Sequence, residues 1–150
     1  MALKKEIEEI ESLIPKASIS NPNISVSGVD WHLDHTLKVI ISICDVLKKS
    51  DPTKYKSSFN ISWQAISLTG TIPRGRGKAP EFTKAKEEIK VADIQSQLEE
   101  AKSALQSIES LPANSYFKHP YFGMLNLKGA QKFLRIHTRH HLKIMRDIIK

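Results

Sequence analysis

The C-terminal segment constrains the fold more than any other part of the chain, because its apolar residues recur at helical spacing. At about 100° per residue, one arc of a helix holds Ala130, Phe133, Leu134, Ile144, Met145 and Ile148. The opposite side holds Arg135, Arg139, Lys143 and Arg146. A stripe of this kind has to be buried against other elements. From about Lys128 to the end, the sequence therefore predicts an amphipathic helix packed on a core.

Three further stretches, residues 25–52, 57–70 and 91–112, are interpreted as long helices, and no stretch has the alternation of a convincing strand. A short amphipathic helix over residues 2–14 precedes them and is closed by Pro15. The pattern predicts an all-α fold, an antiparallel four-helix bundle with a short N-terminal helix, in one domain over residues 1-150. The expected interior includes Leu33, Ile40, Cys44, Leu98, Leu105, Leu134 and Ile148.

Composition narrows the classes of protein further. Apolar residues make up 40% of the chain and charged residues 26%, as in ordinary globular proteins. No apolar run approaches the ~20 residues that cross a bilayer, and the first residues lack the apolar core of a signal peptide. We therefore expect a cytoplasmic protein with no membrane partner. The single cysteine, Cys44, excludes an internal disulfide and a cysteine-rich zinc site.

The formal net charge of +7 raises the question of nucleic acid binding. The basic residues are dispersed along the chain, and no recognition-helix or aromatic-interleaved pattern accompanies them, so nucleic acid is not the expected partner. The segment "IPRGRGKAP" alternates Arg74, Arg76 and Lys78 with other residues, two of them glycines. These three side chains are candidates to contact a phosphate or the carboxylates of a thiol cofactor. The competing interpretation is a flexible, solvated loop.

Histidines interrupt the apolar stripe of the last helix. His137 and His141 lie near the middle of the apolar arc, about 40° apart, and His140 lies at its flank. Charged residues already occupy the outer face, so solvated histidines do not explain the pattern. Two histidines four residues apart can present both rings to one metal ion. Metal ligands and core histidines satisfied by hydrogen bonds both remain open.

A third ligand is expected from another helix, because two histidines make a weak transition-metal site. The long second helix carries "WHLDH". Its phase places His32 beside the buried face and His35 further round, which favours His32 as the ligand and leaves His35 as the alternative or a second-shell group. His119 precedes Pro120 and is biased to an extended conformation.

The stretch "ISVSGVDWHLDH", followed later by "HPYFGMLNLKGAQKFLRIHTRHHL", resembles the DinB-like (YfiT-like) superfamily of metal-binding four-helix bundles. The resemblance covers most of the chain and is nearest to an uncharacterised bacterial branch. A histidine followed by leucine in one helix matches His32 and Leu33, and two histidines four apart in the last helix match His137 and His141. The "HPYFG" connection also resembles this branch.

The resemblance implies zinc or nickel in a site of His32, His137 and His141 with open positions, and His35 or His140 outside it. Some members transfer low-molecular-weight thiols. We therefore expect a metal-dependent enzyme that transfers a thiol or hydrolyses a small-molecule substrate, with pocket residues Trp31, His119 and Tyr121. Each ligand ring should have a partner on its far nitrogen. The alternative is a non-catalytic bundle whose basic face binds an acidic partner or nucleic acid. A homodimer is also compatible with the sequence.

Overall fold

The computed structural model describes residues 1–75 and 88–150 of the chain. In chain order the elements are α1 (Lys4–Leu13), α2 (Val29–Lys49), α3 (Ile61–Thr69), α4 (Val91–Ser107), β1 (Tyr116–His119), β2 (Gly123–Asn126) and α5 (Leu127–Ile149). Short 3₁₀ turns follow α1 and α2. The fold of the described residues is mostly helical, as predicted, with one small two-stranded sheet.

Side chains at the end of α2 and at the start of α5 stabilise these helix termini. α2 ends with Lys48 and Lys49 in its last turn, where cations interact favourably with the helix dipole. α5 begins after Asn126, whose side-chain oxygen accepts a hydrogen bond from the backbone N–H of Gly129 at 3.0 Å. This is an N-cap of the preferred residue type. The predicted start of α5 near Lys128 is therefore confirmed to within a residue.

The core is formed mainly by helix contacts around α2. α2 packs against α4 and α5, and α1 packs against the same two helices. The predicted core residues are confirmed, because each exposes at most 3% of its surface: Leu33, Ile40, Cys44, Leu98, Leu105, Leu134 and Ile148. None of the helices in the described residues is long and apolar enough to cross a membrane.

The roles of α1 and α3 differ from the sequence prediction. The segment over residues 57–70 was expected to be one of four long core helices, but α3 spans only nine residues and has none buried. At helical spacing its apolar residues fall on two opposite faces. Trp63 and Ile66 pack against the core, whereas Ile61 and Leu68 remain 74% and 89% exposed. The short helix α1 instead has an apolar stripe on one face and is packed into the core.

Residues 116–126, which precede α5, form a β-hairpin, so the prediction that no strands are present is wrong. β1 and β2 pair antiparallel, with Phe117 opposite Leu125, and both side chains are buried. The turn is held by His119, whose Nδ1 accepts hydrogen bonds from the backbone N–H groups of Tyr121 and Phe122 at 3.0 and 3.2 Å. Each strand has four residues, too short for alternation to be read as a strand signal.

Cys44 provides a test of the core. Its side chain is fully buried, and burial raises the pKa of its thiol to about 12. Only a thiolate reacts readily with disulfide reagents, so the native protein should show almost no reaction with such a reagent at mildly alkaline pH. One thiol per chain should react after unfolding in guanidinium. Rapid reaction of the native protein would show that the helices around α2 do not bury Cys44 in solution.

Candidate metal centre

The first turns of α2 are held in place by the segment that precedes it. The backbone N–H of Val29 donates to the carbonyl of Ile19 at 3.1 Å, and that of Asp30 donates to the carbonyl of Ala17 at 3.1 Å. The chain approaches so closely here that a Cβ on Gly28 would lie 3.3 Å from the Ile19 carbonyl oxygen. Glycine therefore lets the segment fold back, and the histidines one and two turns later acquire defined positions.

Three imidazoles from two helices converge in the interior. His35 comes from α2, and His137 and His141 come from adjacent turns of α5. Each offers one ring nitrogen, and these three nitrogens all lie within 4.8 Å of one another. The Nε2 atoms of His35 and His137 are 3.3 Å apart. Two nitrogens bound to one tetrahedral zinc ion at ~2.0–2.1 Å are about 3.3 Å apart. The three histidines can therefore hold a divalent metal ion.

Burial keeps these rings neutral. Desolvation lowers the pKa of His35 to about 4, and it lowers the pKa values of His137 and His141 well below the ordinary value. The neighbouring histidines lower the pKa values of His137 and His141 further. A neutral imidazole has a free lone pair on one nitrogen, which is the form that binds metal. The triad is therefore ready to bind an ion at neutral pH.

The acidic residue next to the triad is turned away from it. The carboxylate of Asp34 accepts hydrogen bonds from Lys38 Nζ at 2.7 Å and from Gln97 Nε2 at 2.9 Å. Desolvation has the larger effect on the pKa of His35 and lowers it, and the negative charge of Asp34 opposes this only in part. Among the described residues, the cluster that could hold a metal consists of histidines alone. A divalent ion held there would keep its full charge.

His32 lies behind the triad and not within it. Its Nδ1 is 2.9 Å from the Nδ1 of His141, and its Nε2 is 3.0 Å from the hydroxyl oxygen of Ser25. The sequence favoured His32 over His35 as the third ligand, whereas the structure groups His35 with His137 and His141. The residues from His32 to Leu37 are all buried. Because this part of α2 is covered on every side, an apolar arc cannot show which face is turned towards α5.

Aromatic side chains line the triad on two sides. Trp31 stacks on His35 with ring centroids 4.7 Å apart and an interplanar angle of 6°. Phe133 lies next to His137, with centroids 5.6 Å apart. His140 is only partly buried and stands edge-on to His141, outside the triad, in the flanking position that its helical phase indicated. Of the three expected pocket residues, Trp31 therefore contacts the centre directly.

The other two expected pocket residues belong to the hairpin. His119 stacks on Phe122 with centroids 4.2 Å apart, and desolvation lowers its pKa to about 4. Tyr121 is 65% exposed. The ring of His119 packs against that of Phe133, with centroids 4.8 Å apart, and Phe133 in turn lies next to His137. The two backbone hydrogen bonds of His119 give it a clear part in shaping the turn.

Arg74, one of the three expected anion contacts, pairs with an acidic residue of α5. Arg74 donates a hydrogen bond to Asp147 at 2.6 Å, and this contact, together with a hydrogen bond from Lys150 at 2.9 Å, lowers the pKa of Asp147 to about 2. Arg74 and His140 line a groove of about 600 Å³ between α1, α5 and residues 70–74. Glu6 and Glu9 also line the groove and pair with arginines of α5. Arg76 and Lys78 lie outside the described residues.

Comparison with other proteins gives no guide to this site. No family model matches the chain, and no match was found among curated proteins or solved structures. Sequence reasoning also missed Ser25, the first residue of the stretch over residues 25–52 that was interpreted as a helix, whereas α2 begins only at Val29. The serine-rich spacing "SVSG" is a weak turn signal, and nothing in it indicates that the hydroxyl reaches a histidine of the next helix.

Proposed function

We propose that this protein binds one divalent metal ion through His35, His137 and His141, and that the ion is zinc or nickel. The observation that carries the proposal is the convergence of three ring nitrogens within 4.8 Å of one another. Imidazole nitrogen suits both of these metals. Three protein ligands leave at least one coordination position open, as in catalytic zinc sites, whereas structural sites are closed by four.

The proposed chemistry is transfer of a thiol to a small-molecule substrate, with hydrolysis as the second possibility. A bound divalent ion would stabilise a thiolate or lower the pKa of a water molecule towards ~7. Asp34 is held by Lys38 and Gln97, which leaves it poorly placed to serve as a general base. A thiol that binds the ion loses its proton without the help of a neighbouring base residue. This favours a low-molecular-weight thiol as the co-substrate. Trp31 beside His35 gives the substrate an apolar wall.

For the architecture we propose an antiparallel four-helix bundle of the DinB-like type. The contacts in its support are those of α1 and α2, each of which packs against both α4 and α5. In this arrangement α1 takes the place first assigned to the segment over residues 57–70. The metal would then be held between facing helices, where bundles commonly place such sites.

The alternative function, binding of an acidic partner or nucleic acid by a basic face, has less support. The groove that carries the arginines also carries Glu6 and Glu9, and Glu6 pairs with Arg139 at 2.7 Å. A polyanion would have to compete with these carboxylates. Binding of this kind would weaken steeply as the salt concentration rises.

Metal content provides the test of the proposed function. Protein purified without a histidine tag should contain, or take up from zinc or nickel solution, one ion per chain by elemental analysis after gel filtration. Loaded protein should consume a low-molecular-weight thiol in the presence of a small electrophile, and chelator-treated protein should not. Failure of the wild type to retain any divalent ion at neutral pH would overturn the proposal.

A further inference from the structure

Among the three proposed ligands, His141 is distinguished by the partner of its second ring nitrogen. Its Nδ1 lies 2.9 Å from the Nδ1 of His32. The Nδ1 atoms of His35 and His137 are buried and have no hydrogen-bond partner in the described part of the chain. Within residues 1–75 and 88–150, one ligand ring is therefore anchored from behind by a protein group, and the other two are not.

We propose that His32 is a positioning residue, which together with Ser25 fixes the tautomer and the orientation of His141 for metal binding. This inference rests on the proposed metal centre. With Nδ1 facing His32, the nitrogen that His141 has left for an ion is Nε2. A neutral imidazole that binds metal through Nε2 keeps its proton on Nδ1.

The proton positions then follow along a chain of three side chains. His141 donates from Nδ1 to the Nδ1 of His32, which must accept and therefore carries its own proton on Nε2. His32 Nε2 donates to the hydroxyl oxygen of Ser25 at 3.0 Å. The same oxygen accepts a second hydrogen bond, from the backbone N–H of Ser27 at 3.2 Å. The chain thus ends on a hydroxyl oxygen that is held in place by the backbone.

The two hydrogen bonds that link Ser25, His32 and His141 can also run in the opposite direction. The Ser25 hydroxyl would then donate to Nε2 of His32, and Nδ1 of His32 would donate to Nδ1 of His141. His141 would carry its proton on Nε2 and could not bind metal there. Binding of an ion through Nε2 of His141 selects the first arrangement, and any molecule in the second arrangement has to move one proton on each of the two rings to bind it.

A pair of variants of similar shape separates this role from packing. An asparagine at position 32 can place an acceptor oxygen near the position of Nδ1, whereas a leucine fills similar space without an acceptor. Loss of such an outer hydrogen bond commonly lowers metal affinity by about 10–100-fold. We expect that loss for His32→Leu and a substantial recovery for His32→Asn, measured by competition with a chromophoric chelator. Ser25→Ala should give a smaller loss, and Ser27→Ala, which keeps the backbone N–H, should give none.

Nitrogen NMR of the imidazoles gives a readout that packing alone would not produce. In zinc-loaded wild type, His141 should be protonated on Nδ1 and His32 on Nε2. If His141 carries its proton on Nε2 in the loaded protein, the inference is wrong. If His32 itself shows the shift of a metal-bound nitrogen, and His32→Asn loses the ion as completely as His32→Leu, His32 is a ligand and the positioning role is also wrong.

The outcomes for the inference and for the proposed function are distinct. His35→Ala should eliminate stoichiometric binding because it removes a ligand. Wild type that binds zinc, a His35→Ala variant that does not, and a His32→Leu variant with wild-type affinity would leave the metal centre intact and overturn the role of His32. Absence of zinc binding in the wild type would overturn both.

Discussion

Replacing His137 with alanine should eliminate the stabilisation of the protein by zinc. An ion present at about 100 times its dissociation constant stabilises a native state by about 2.7 kcal/mol. For a domain of this size, that corresponds to a rise in melting temperature of about 5–10 °C. The wild type should show this rise and His137→Ala should show none. Without metal the two proteins should melt at similar temperatures, since the Nδ1 of His137 has no partner among the described residues and its removal breaks no hydrogen bond of that atom.

The matched control is His140→Ala, which removes an imidazole from the same helix but from outside the triad. It should keep the full response to zinc. Thermal unfolding followed by circular dichroism, with zinc and nickel titrated separately, measures both variants. A structural histidine would behave differently, because its loss would lower the melting temperature equally with and without metal. Equal responses of wild type and His137→Ala would contradict the proposed centre.

Acid should destabilise the metal-free protein strongly. Burial lowers the pKa values of His32, His35 and His119 to about 4, whereas the same side chains in the unfolded chain titrate near 6.5. Between these values the unfolded chain binds more protons than the native protein. Stability is therefore complete above about pH 6.5 and falls as the pH is lowered towards about 4. A shift of this size corresponds to at most about 3 kcal/mol per ring. Together the three rings can offset much of the roughly 5–15 kcal/mol of stability of a typical domain.

Urea unfolding at a series of pH values measures this loss, and His119→Asn provides the control. An asparagine oxygen can accept the two backbone hydrogen bonds that His119 accepts at the hairpin turn, and it does not titrate. The variant should keep the hairpin and show a shallower fall of stability with acid than the wild type. The same fall in both proteins would show that protonation of His119 contributes nothing to acid unfolding.

The sequence determined the long helices and most of their buried faces. α2 and α5 have apolar stripes at helical spacing, and the phase of α5 placed His137 and His141 on its inner face and His140 at its flank. Periodicity is a local property, because it depends only on which side chains one helix presents together. The pairing of His137 with His141 needs no second helix, so the sequence alone sufficed to predict it.

Tertiary structure decided which elements share the core with those helices. α1 and α3 are both short, and the sequence assigned the core position to the wrong one. The apolar side chains of α3 fall on opposite faces, so that packing one face leaves Ile61 and Leu68 exposed. The hairpin of β1 and β2 depends on pairing between strands of four residues and on the contacts of His119 in the turn. Neither the strand pairing nor the turn contacts of His119 produce a periodic pattern of apolar residues in the sequence.

The choice between His32 and His35 also required the tertiary structure. The two residues are three positions apart, close to one helical turn, so both rings project towards α5. The two positions differ by about 60° around the axis of α2, so the rotation of α2 about that axis decides which ring faces the pair on α5. That rotation is set by packing against α4 and α5 and by the backbone hydrogen bonds from Val29 and Asp30. The sequence thus determined that α2 would bring a histidine to the pair on α5, and the packing of the helices decided which histidine it is.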